Sequence, residues 1–279
     1  MKPDYVAKAR IPKRLIKLAY FCMNHVKRAP DRIFDRLFGV STFESVSQDS
    51  FVVIEGSSVF NGRENFPYDG SQWFPIRKAL KHLSPGSTDV FIDCGSGKGK
   101  VLLIAGRLPF RRVVGVEIDA NLSECARRNI KQARPRLRAQ QVDCINASAL
   151  DWPIPDETSI VFMYNPFIGQ TFQSLIGRII ESYDRAPRTL HIVYSFPWEH
   201  AWLLSTGRVV VDNVSPGNWL VRPRWWKTGH VIISYRVVGA SDTPHSQIRP
   251  SKAIGYWNSP DAHSFTVSVP GLGTIRSRS

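Results

Sequence analysis

Between positions 90 and 238, short apolar runs alternate with stretches whose apolar residues recur at helical spacing. The runs that predict strands are Val90–Asp93, Arg112–Ile118, Ser159–Tyr164, Leu190–Phe196, Arg208–Val214 and His230–Val238. Helices are predicted at about Phe74–Leu83 and over Lys100–Leu108, Leu122–Ala133 and Phe172–Ser182. Strand–helix alternation at this spacing favours an α/β fold with a doubly wound, mostly parallel sheet. The last two runs have no helix between them and predict an antiparallel terminal hairpin.

Two segments of different character flank this region. Apolar positions from Ile11 to Val26 recur at helical spacing and predict a basic amphipathic helix over 11–28. A second short helix is expected from Asp31 to Phe38, with Gly39 as its stop. Residues rich in Ser, Pro and Gly, without periodicity, form a tail for which we expect poor order. The predicted organisation is a helical extension over 1–50, a catalytic domain over 51–239 and a tail over 240–279.

The net charge of +14 comes from two segments. Residues 1–40 carry ten Lys and Arg against three Asp, and residues 106–138 carry nine against three acidic residues. Such charge suits nucleic acid, an anionic membrane surface or an acidic substrate. For the helix over 11–28, docking of its apolar side on the protein's own core is the favoured interpretation. Binding to nucleic acid or to a membrane surface is the alternative, with peripheral membrane contact less favoured.

Composition excludes several classes of protein. With 43% apolar residues in 279, the chain can bury a sizeable core, which argues against a disordered protein. No apolar run approaches the ~18 residues of a transmembrane helix. The cysteines, at positions 22, 94, 125 and 144, show no metal-ligand spacing, and no metal site is predicted. We expect reduced thiols in a cytoplasmic protein.

A glycine cluster follows the first strand, in the segment Val90-Phe-Ile-Asp-Cys-Gly-Ser-Gly-Lys-Gly-Lys100. Glycines let the backbone approach a ligand closely, and the next helix offers free N–H groups. A dinucleotide fingerprint needs a glycine where Lys100 stands, and a P-loop needs Ser or Thr where Val101 stands. Glu117 ends the next strand, where such sheets place a carboxylate that binds ribose hydroxyls.

The glycine segment resembles motif I of the class I S-adenosylmethionine-dependent methyltransferases, which is an acidic residue followed by Gly-x-Gly-x-Gly. Glu117, in Gly-Val-Glu-Ile-Asp119, resembles the acidic residue that ends the second strand in that family. The resemblance covers about residues 65–238. It implies a Rossmann-like, seven-stranded sheet with an antiparallel terminal hairpin, and S-adenosyl-L-methionine as the cofactor.

The resemblance also implies roles for individual residues. Asp93 and the backbone at Gly95 and Gly97, in the loop with Ser96 and Gly99, would hold the methionine end. Glu117 would bind the ribose, and Ile118 or Asp119 would border the adenine. Ser148 and Ala149 stand where the family usually has an Asp for the adenine amino group, and Asp151 could substitute. Tyr68, beside Asp69, is a candidate lid residue, with a hydrophobic anchor as the alternative.

Asn165-Pro166-Phe167 follows a strand end beside the glycine loop. It resembles a shortened Asn/Asp-Pro-Pro-Tyr/Phe motif of amino-group methyltransferases. In that motif the amide oxygen and a backbone carbonyl accept hydrogen bonds from the target amine, and the aromatic ring packs against the substrate. One proline of that motif is missing here, which weakens the inference to a nitrogen acceptor. Since Asn-Pro after a strand is a common turn, a simple turn is the alternative interpretation.

The expected function is therefore methyl transfer, with an amino nitrogen of a protein or small molecule as the favoured acceptor. Two alternatives stay open. One is an RNA or DNA methyltransferase that uses the basic arm, and the other is a catalytically inactive module that binds S-adenosylmethionine.

Overall fold

A seven-stranded sheet with strand order β3-β2-β1-β4-β5-β7-β6 forms the centre of the protein. The computed structural model describes residues 29–43, 71–216, 231–242, 266–269 and 273–276. The strands are β1 (Val90–Cys94), β2 (Arg112–Glu117), β3 (Gln141–Asn146), β4 (Thr158–Tyr164), β5 (His191–Ser195), β6 (Val209–Pro216) and β7 (Val231–Val237). Strands β1 to β5 pair in parallel, and β7 is antiparallel to both of its neighbours. The predicted doubly wound, mostly parallel sheet with an antiparallel terminal hairpin is confirmed.

Six α-helices accompany the sheet in the described residues. They are α1 (29–38), α2 (Trp73–His82), α3 (Lys100–Gly106), α4 (Ala120–Ala133), α5 (Gly169–Arg185) and α6 (His200–Ser205). Alternate strand residues face two separate cores. Helices α1 to α4 cover one face of the sheet, and α5 and α6 cover the other. From β1 the chain winds outward to β3 and returns to β4, so a crevice opens at the carboxyl ends of β1 and β4.

Two elements were not found in the apolar pattern. In β3, exposed Gln141 and Asp143 alternate with buried Val142 and Cys144, so no continuous apolar run marks this strand. Helix α6 has only six residues, which is less than two helical turns. Both elements are held by the sheet and helices around them, and their own sequences give a weak signal.

Helix α1 lies within the segment assigned to the N-terminal extension. It ends before Gly39, which has the positive φ of 67° that glycine tolerates. Phe34 and Phe38 are buried in the same core as α2 and α3. At least this part of the extension therefore packs on the sheet domain, while the predicted helix over 11–28 lies outside the described residues.

Three further observations concern the remaining predictions. Within the tail, Thr266–Val269 (β8) pairs antiparallel with Gly273–Arg276 (β9). Cys94, Cys125 and Cys144 are free thiols, and Cys22 lies outside the described residues. In the described part of the chain, no helix has the length and apolar character needed to cross a membrane.

A buried histidine makes stability depend on pH. His200 lies in α6, with its Nδ1 hydrogen-bonded to the Tyr235 hydroxyl of β7, and burial lowers its pKa to about 4. In the unfolded chain the same imidazole has a pKa near 6.5. Between these values the unfolded state binds the extra proton, so stability is complete above pH 6.5 and is lost as the pH falls. We expect His200 to account for about 2 kcal/mol of lost stability between pH 7.5 and pH 5.

Urea unfolding of the wild type and of His200→Gln at the two pH values tests this expectation. The variant removes the titrating group, so its free energy of unfolding should fall less between pH 7.5 and pH 5. An equal fall in both proteins would contradict the assignment to His200.

Candidate active site

The glycine cluster forms a tight loop over the carboxyl end of β1. Gly95, Gly97 and Gly99 have φ values of 79°, 53° and 80°, a region that side chains disfavour. The amides of Gly95 and Ser96 donate to the Val116 carbonyl at 2.9 and 3.2 Å, which ties the loop to β2. The geometry therefore explains all three glycines of the predicted cofactor loop.

The glycine loop touches the segment predicted to hold the methyl acceptor. A Cβ atom at Gly95 would lie 2.7 Å from Cβ of Pro166, closer than real Cβ contacts allow. The Asn165-Pro166-Phe167 segment follows β4, the neighbour of β1 in the sheet. The two predicted halves of the site are therefore in direct contact, at the crevice between β1 and β4.

A fourth glycine supports the loop from below and was missed in the sequence. Gly115 lies in the middle of β2, where an added Cβ would be 2.5 Å from Ser96 Oγ and 2.6 Å from Leu102 Cδ1. A glycine inside a strand often marks a close approach by another segment. The glycine within the apolar run Arg112–Ile118 was that signal.

Asp93 carries a buried carboxylate without a complete set of partners. The residue is 2% exposed, and its Oδ2 has no hydrogen-bond partner among the described residues. Burial raises the pKa of this carboxyl well above its usual range, and the nearby Glu117 carboxylate raises it further. A buried carboxyl in this state is poised to receive a cation or a hydrogen-bond donor.

Glu117 reaches back from the end of β2 to the glycine loop. Its Oε2 accepts a hydrogen bond from the Gly97 amide at 2.7 Å, and its Oε1 accepts from the Asp119 amide at 3.0 Å. Burial raises the pKa of this carboxyl, and the backbone hydrogen bonds partly offset the rise. Each carboxylate oxygen can accept a second hydrogen bond, so a ligand hydroxyl can still be bound.

The strand end beyond Glu117 is fixed by two polar side chains. Asp119 is the N-cap of α4, where its carboxylate accepts from the Leu122 amide at 2.6 Å. Asn146, which the sequence did not single out, donates to the carbonyls of Glu117 and Ile118 at 2.9 and 3.2 Å. Asp119 therefore acts as a helix cap, and the half-buried Ile118 stays a candidate to border the adenine.

Ser148 and Ala149 form the turn after β3. The Ser148 hydroxyl oxygen accepts a hydrogen bond from the Leu150 amide at 3.2 Å, and its carbonyl accepts from Trp152. Ser148 is buried, Ala149 is half-buried and Asp151 is exposed. The Ser148 side chain thus shapes this turn, and the predicted contact with adenine stays a prediction.

Asn165 combines a positive φ with a side chain that is hydrogen-bonded to a tyrosine. Its φ is 40°, and its side-chain Oδ1 accepts a 2.9 Å hydrogen bond from the hydroxyl of Tyr194, a fully buried residue of β5. Because an amide oxygen can only accept, the tyrosine donates its own proton to Asn165. The amide oxygen of Asn165 therefore faces Tyr194.

Two phenylalanines near Asn165 differ in their surroundings. Phe167 packs into the core formed with α5, so most of its ring faces protein. Phe196, just after β5, has a φ of 58°, and its ring lies 6.3 Å from that of Tyr164. Tyr194 and Phe196 were missed because sequence spacing does not show which strands become neighbours. Tyr68 and Asp69 lie outside the described residues.

The segment that contains the glycine loop and Asn165 matches a known protein family. Residues 92–167 match the family described as a methyltransferase domain. Residues 92–167 therefore carry the sequence of a methyltransferase domain. The matched segment runs from the strand before the glycine loop to Phe167, so it includes both parts of the site.

Three solved structures similar to this chain have sequence identities of 10–21%. An RNA methyltransferase from Salinibacter ruber, in complex with S-adenosyl-L-homocysteine, is 21% identical, with 61% of this chain and 95% of that chain covered and a TM-score of 0.42. An rRNA methylase from Streptococcus thermophilus is 10% identical, with 59% and 97% covered and a TM-score of 0.44. Precorrin 8W decarboxylase from Methanobacterium thermoautotrophicum is 20% identical, with 69% and 100% covered and a TM-score of 0.45. No curated protein matched the chain.

The charge of the site fits the cofactor of a methyltransferase. S-adenosylmethionine carries a cationic sulfonium and an ammonium group, and both need anionic or hydrogen-bonding partners. Asp93 offers a buried carboxyl oxygen that lacks a partner among the described residues. A bound cation would stabilise the ionised form of Asp93 and lower its pKa.

Proposed function

We propose that the protein transfers a methyl group from S-adenosylmethionine to an amino nitrogen of a protein or small molecule. The observation that carries this proposal is the fixed amide oxygen of Asn165, beside the glycine loop. A carbonyl oxygen accepts two hydrogen bonds, and Tyr194 occupies one of these positions. The second position is left for an N–H group of an acceptor amine.

The residues of the chain divide between cofactor and acceptor in this proposal. Asp93 and the backbone of the loop bind the methionine end, Glu117 binds the ribose, and Ile118, Ser148 and Ala149 border the adenine. The residues proposed to hold the cofactor are Tyr68, Asp93, Gly95, Ser96, Gly97, Gly99, Glu117, Ile118, Ser148 and Ala149. Asn165, Pro166 and Phe167 form the acceptor segment.

Methyl transfer of this kind is an in-line displacement that depends on positioning. The cofactor supplies an electrophilic methyl group on a sulfonium. The neutral amine forms the new C–N bond as the C–S bond breaks, and the nitrogen then loses a proton to solvent. Asn165 aims the nitrogen lone pair by accepting from its N–H, and the buried surroundings exclude water. No acid is needed, because the sulfur leaves as a neutral thioether.

The positive charge of residues 106–138 lends little support to a nucleic-acid acceptor. Arg127 donates to the Cys144 carbonyl at 3.1 Å, and Arg134 donates to the Ala139 and Gln140 carbonyls at 2.9 Å. Arg111 pairs with Glu157, and Arg107 lies over the Phe38 ring. These exposed side chains therefore make contacts within the fold, so the charge of this segment does not by itself favour the RNA or DNA alternative.

Transfer of a tritiated methyl group into a cell extract tests the acceptor class. We expect the label either in the small-molecule fraction or in material that protease releases, and acid hydrolysis should yield N-methylated amines. Glu117→Ala serves as the control without cofactor binding. Label released only by nuclease would overturn the proposed acceptor, whereas cofactor binding without any transfer would favour the inactive module. The cytoplasmic location stays part of this proposal.

A further inference from the structure

Residues 29–43, which we call the clasp, consist of α1 and the turn that follows it. We propose that the clasp holds the glycine loop in its cofactor-binding conformation, so that residues outside the site set the affinity for S-adenosylmethionine. The inference concerns cofactor affinity and does not depend on the identity of the methyl acceptor. Four observations support it.

The first contact is a buried ion pair at the start of α3. Lys100 comes directly after Gly99 and is 1% exposed, and its ammonium lies 2.6 Å from Oδ1 of Asp31 in α1. The same Asp31 oxygen accepts from the Trp73 amide at 3.2 Å, at the start of α2. The Lys100 ammonium also lies 5.5 Å from the centre of the Phe34 ring. An ammonium buried this deeply needs its carboxylate partner.

The second contact passes through a buried amide of α4. Asn129 Nδ2 donates to the carbonyl of Lys98, within the glycine loop, at 2.9 Å. The same amide exchanges hydrogen bonds with the backbone of Ser41, with Nδ2 donating at 3.3 Å and Oδ1 accepting at 3.2 Å. The turn of the clasp and the glycine loop therefore share one side chain.

The clasp is itself well ordered by its own side chains. Asp35 accepts from the backbone amides of Thr42 and Phe43 at 2.7 and 3.0 Å, and also from the Thr42 hydroxyl. Phe34 and Phe38 are buried in the core and stack on each other, with ring centres 4.5 Å apart. The clasp can therefore act as a fixed support.

The contacts of the clasp lie on both sides of Gly99. The front of the loop is tied to β2 through Val116 and Glu117. The Lys100 side chain is bound to Asp31 of the clasp, and the Lys98 carbonyl is linked to the clasp through Asn129 of α4. Gly99 has a φ of 80° and packs against α4. If the clasp were released, cofactor binding would have to order this half of the loop, and affinity would fall.

Asp31→Asn and Asn129→Ala, in the full chain, test the clasp. Asp31 and Asn129 are positioning residues, since neither lies among the proposed cofactor contacts. We expect each variant to raise the dissociation constant of S-adenosylmethionine by about tenfold, measured by calorimetry at a temperature where the variants are folded. Hydrogen exchange at the amides of 96–100 should become faster at the same time.

Asp184→Asn is the matched control, because it breaks the Arg208–Asp184 ion pair between α5 and the start of β6. It should leave cofactor affinity within about twofold of the wild type, however much it destabilises the fold. If Asp31→Asn does not fold, Asn129→Ala alone decides the outcome. Unchanged affinity in the folded variants would overturn the proposal. If Asp184→Asn also lost affinity for S-adenosylmethionine, the effect would be assigned to general stability, and the proposal would be overturned as well.

Discussion

Gly115→Ala is expected to weaken S-adenosylmethionine binding by about 10- to 100-fold. The new methyl group would lie 2.5 Å from Ser96 Oγ, 2.7 Å from Ser96 Cβ and 2.6 Å from Leu102 Cδ1. Gly115 is paired with Asp93 of β1 on one side and Cys144 of β3 on the other, so the strand cannot move away. The glycine loop must shift instead. Overpacking of this kind costs about 1–3 kcal/mol, and about 1.4 kcal/mol corresponds to tenfold in affinity.

Calorimetry on Gly115→Ala, with a matched glycine variant, measures this effect. Gly177 lies in the middle of α5, and a Cβ atom there would meet nothing within 4 Å. Gly177→Ala should keep the wild-type affinity and stabilise the fold by about 0.5–1 kcal/mol, as expected for alanine in a helix interior. Affinity within twofold of the wild type in Gly115→Ala would show that the loop does not depend on the space beneath it.

The parts of the fold that sequence could predict depend on local patterns. The buried strands β1, β2, β4 and β5 appear as apolar runs because both of their faces are covered by helices. The glycine loop was visible because its conformation needs glycine at three positions. The apolar pattern did not show strand β3, because it lies at the edge of the sheet, where only alternate residues are buried.

Contacts between distant segments could not be predicted from sequence. Asp31 and Lys100 are 69 residues apart, and Tyr194 is 29 residues from Asn165. Asp31, Lys100 and Tyr194 are unremarkable in their own segments, and each gains a role only when the fold brings it to its partner. The charge near the N-terminus also gains its meaning only in the fold. Asp31 is one of the few acidic residues of this basic segment, and it binds Lys100 of α3, the helix that follows the glycine loop.

The second large effect is expected at Asn165. Asn165→Ala should keep cofactor binding and lower the rate of methyl transfer into the extract by ~100-fold, since a preorganised hydrogen-bonding group is lost. Tyr194→Phe removes the hydroxyl and keeps the ring, whose centre lies 5.2 Å from that of Phe172. The packing of the ring should therefore be preserved. The amide of Asn165 then loses the bond that orients it, and we expect a decrease of about tenfold.

A double-mutant cycle separates an effect through Asn165 from a general loss of structure. If Tyr194 acts by orienting the amide, Tyr194→Phe should have little further effect once Asn165 is alanine, because the group it orients is gone. Tyr235→Phe is the control, since it removes a buried hydroxyl of the neighbouring strand β7 that is bonded to His200 of α6. Near-normal transfer by Asn165→Ala would refute the proposed acceptor role. Full loss in Asn165→Ala with a wild-type rate in Tyr194→Phe would leave the acceptor role intact and limit Tyr194 to packing. Additive losses in the double variant would show that the hydroxyl acts on the reaction by another route than the Asn165 amide.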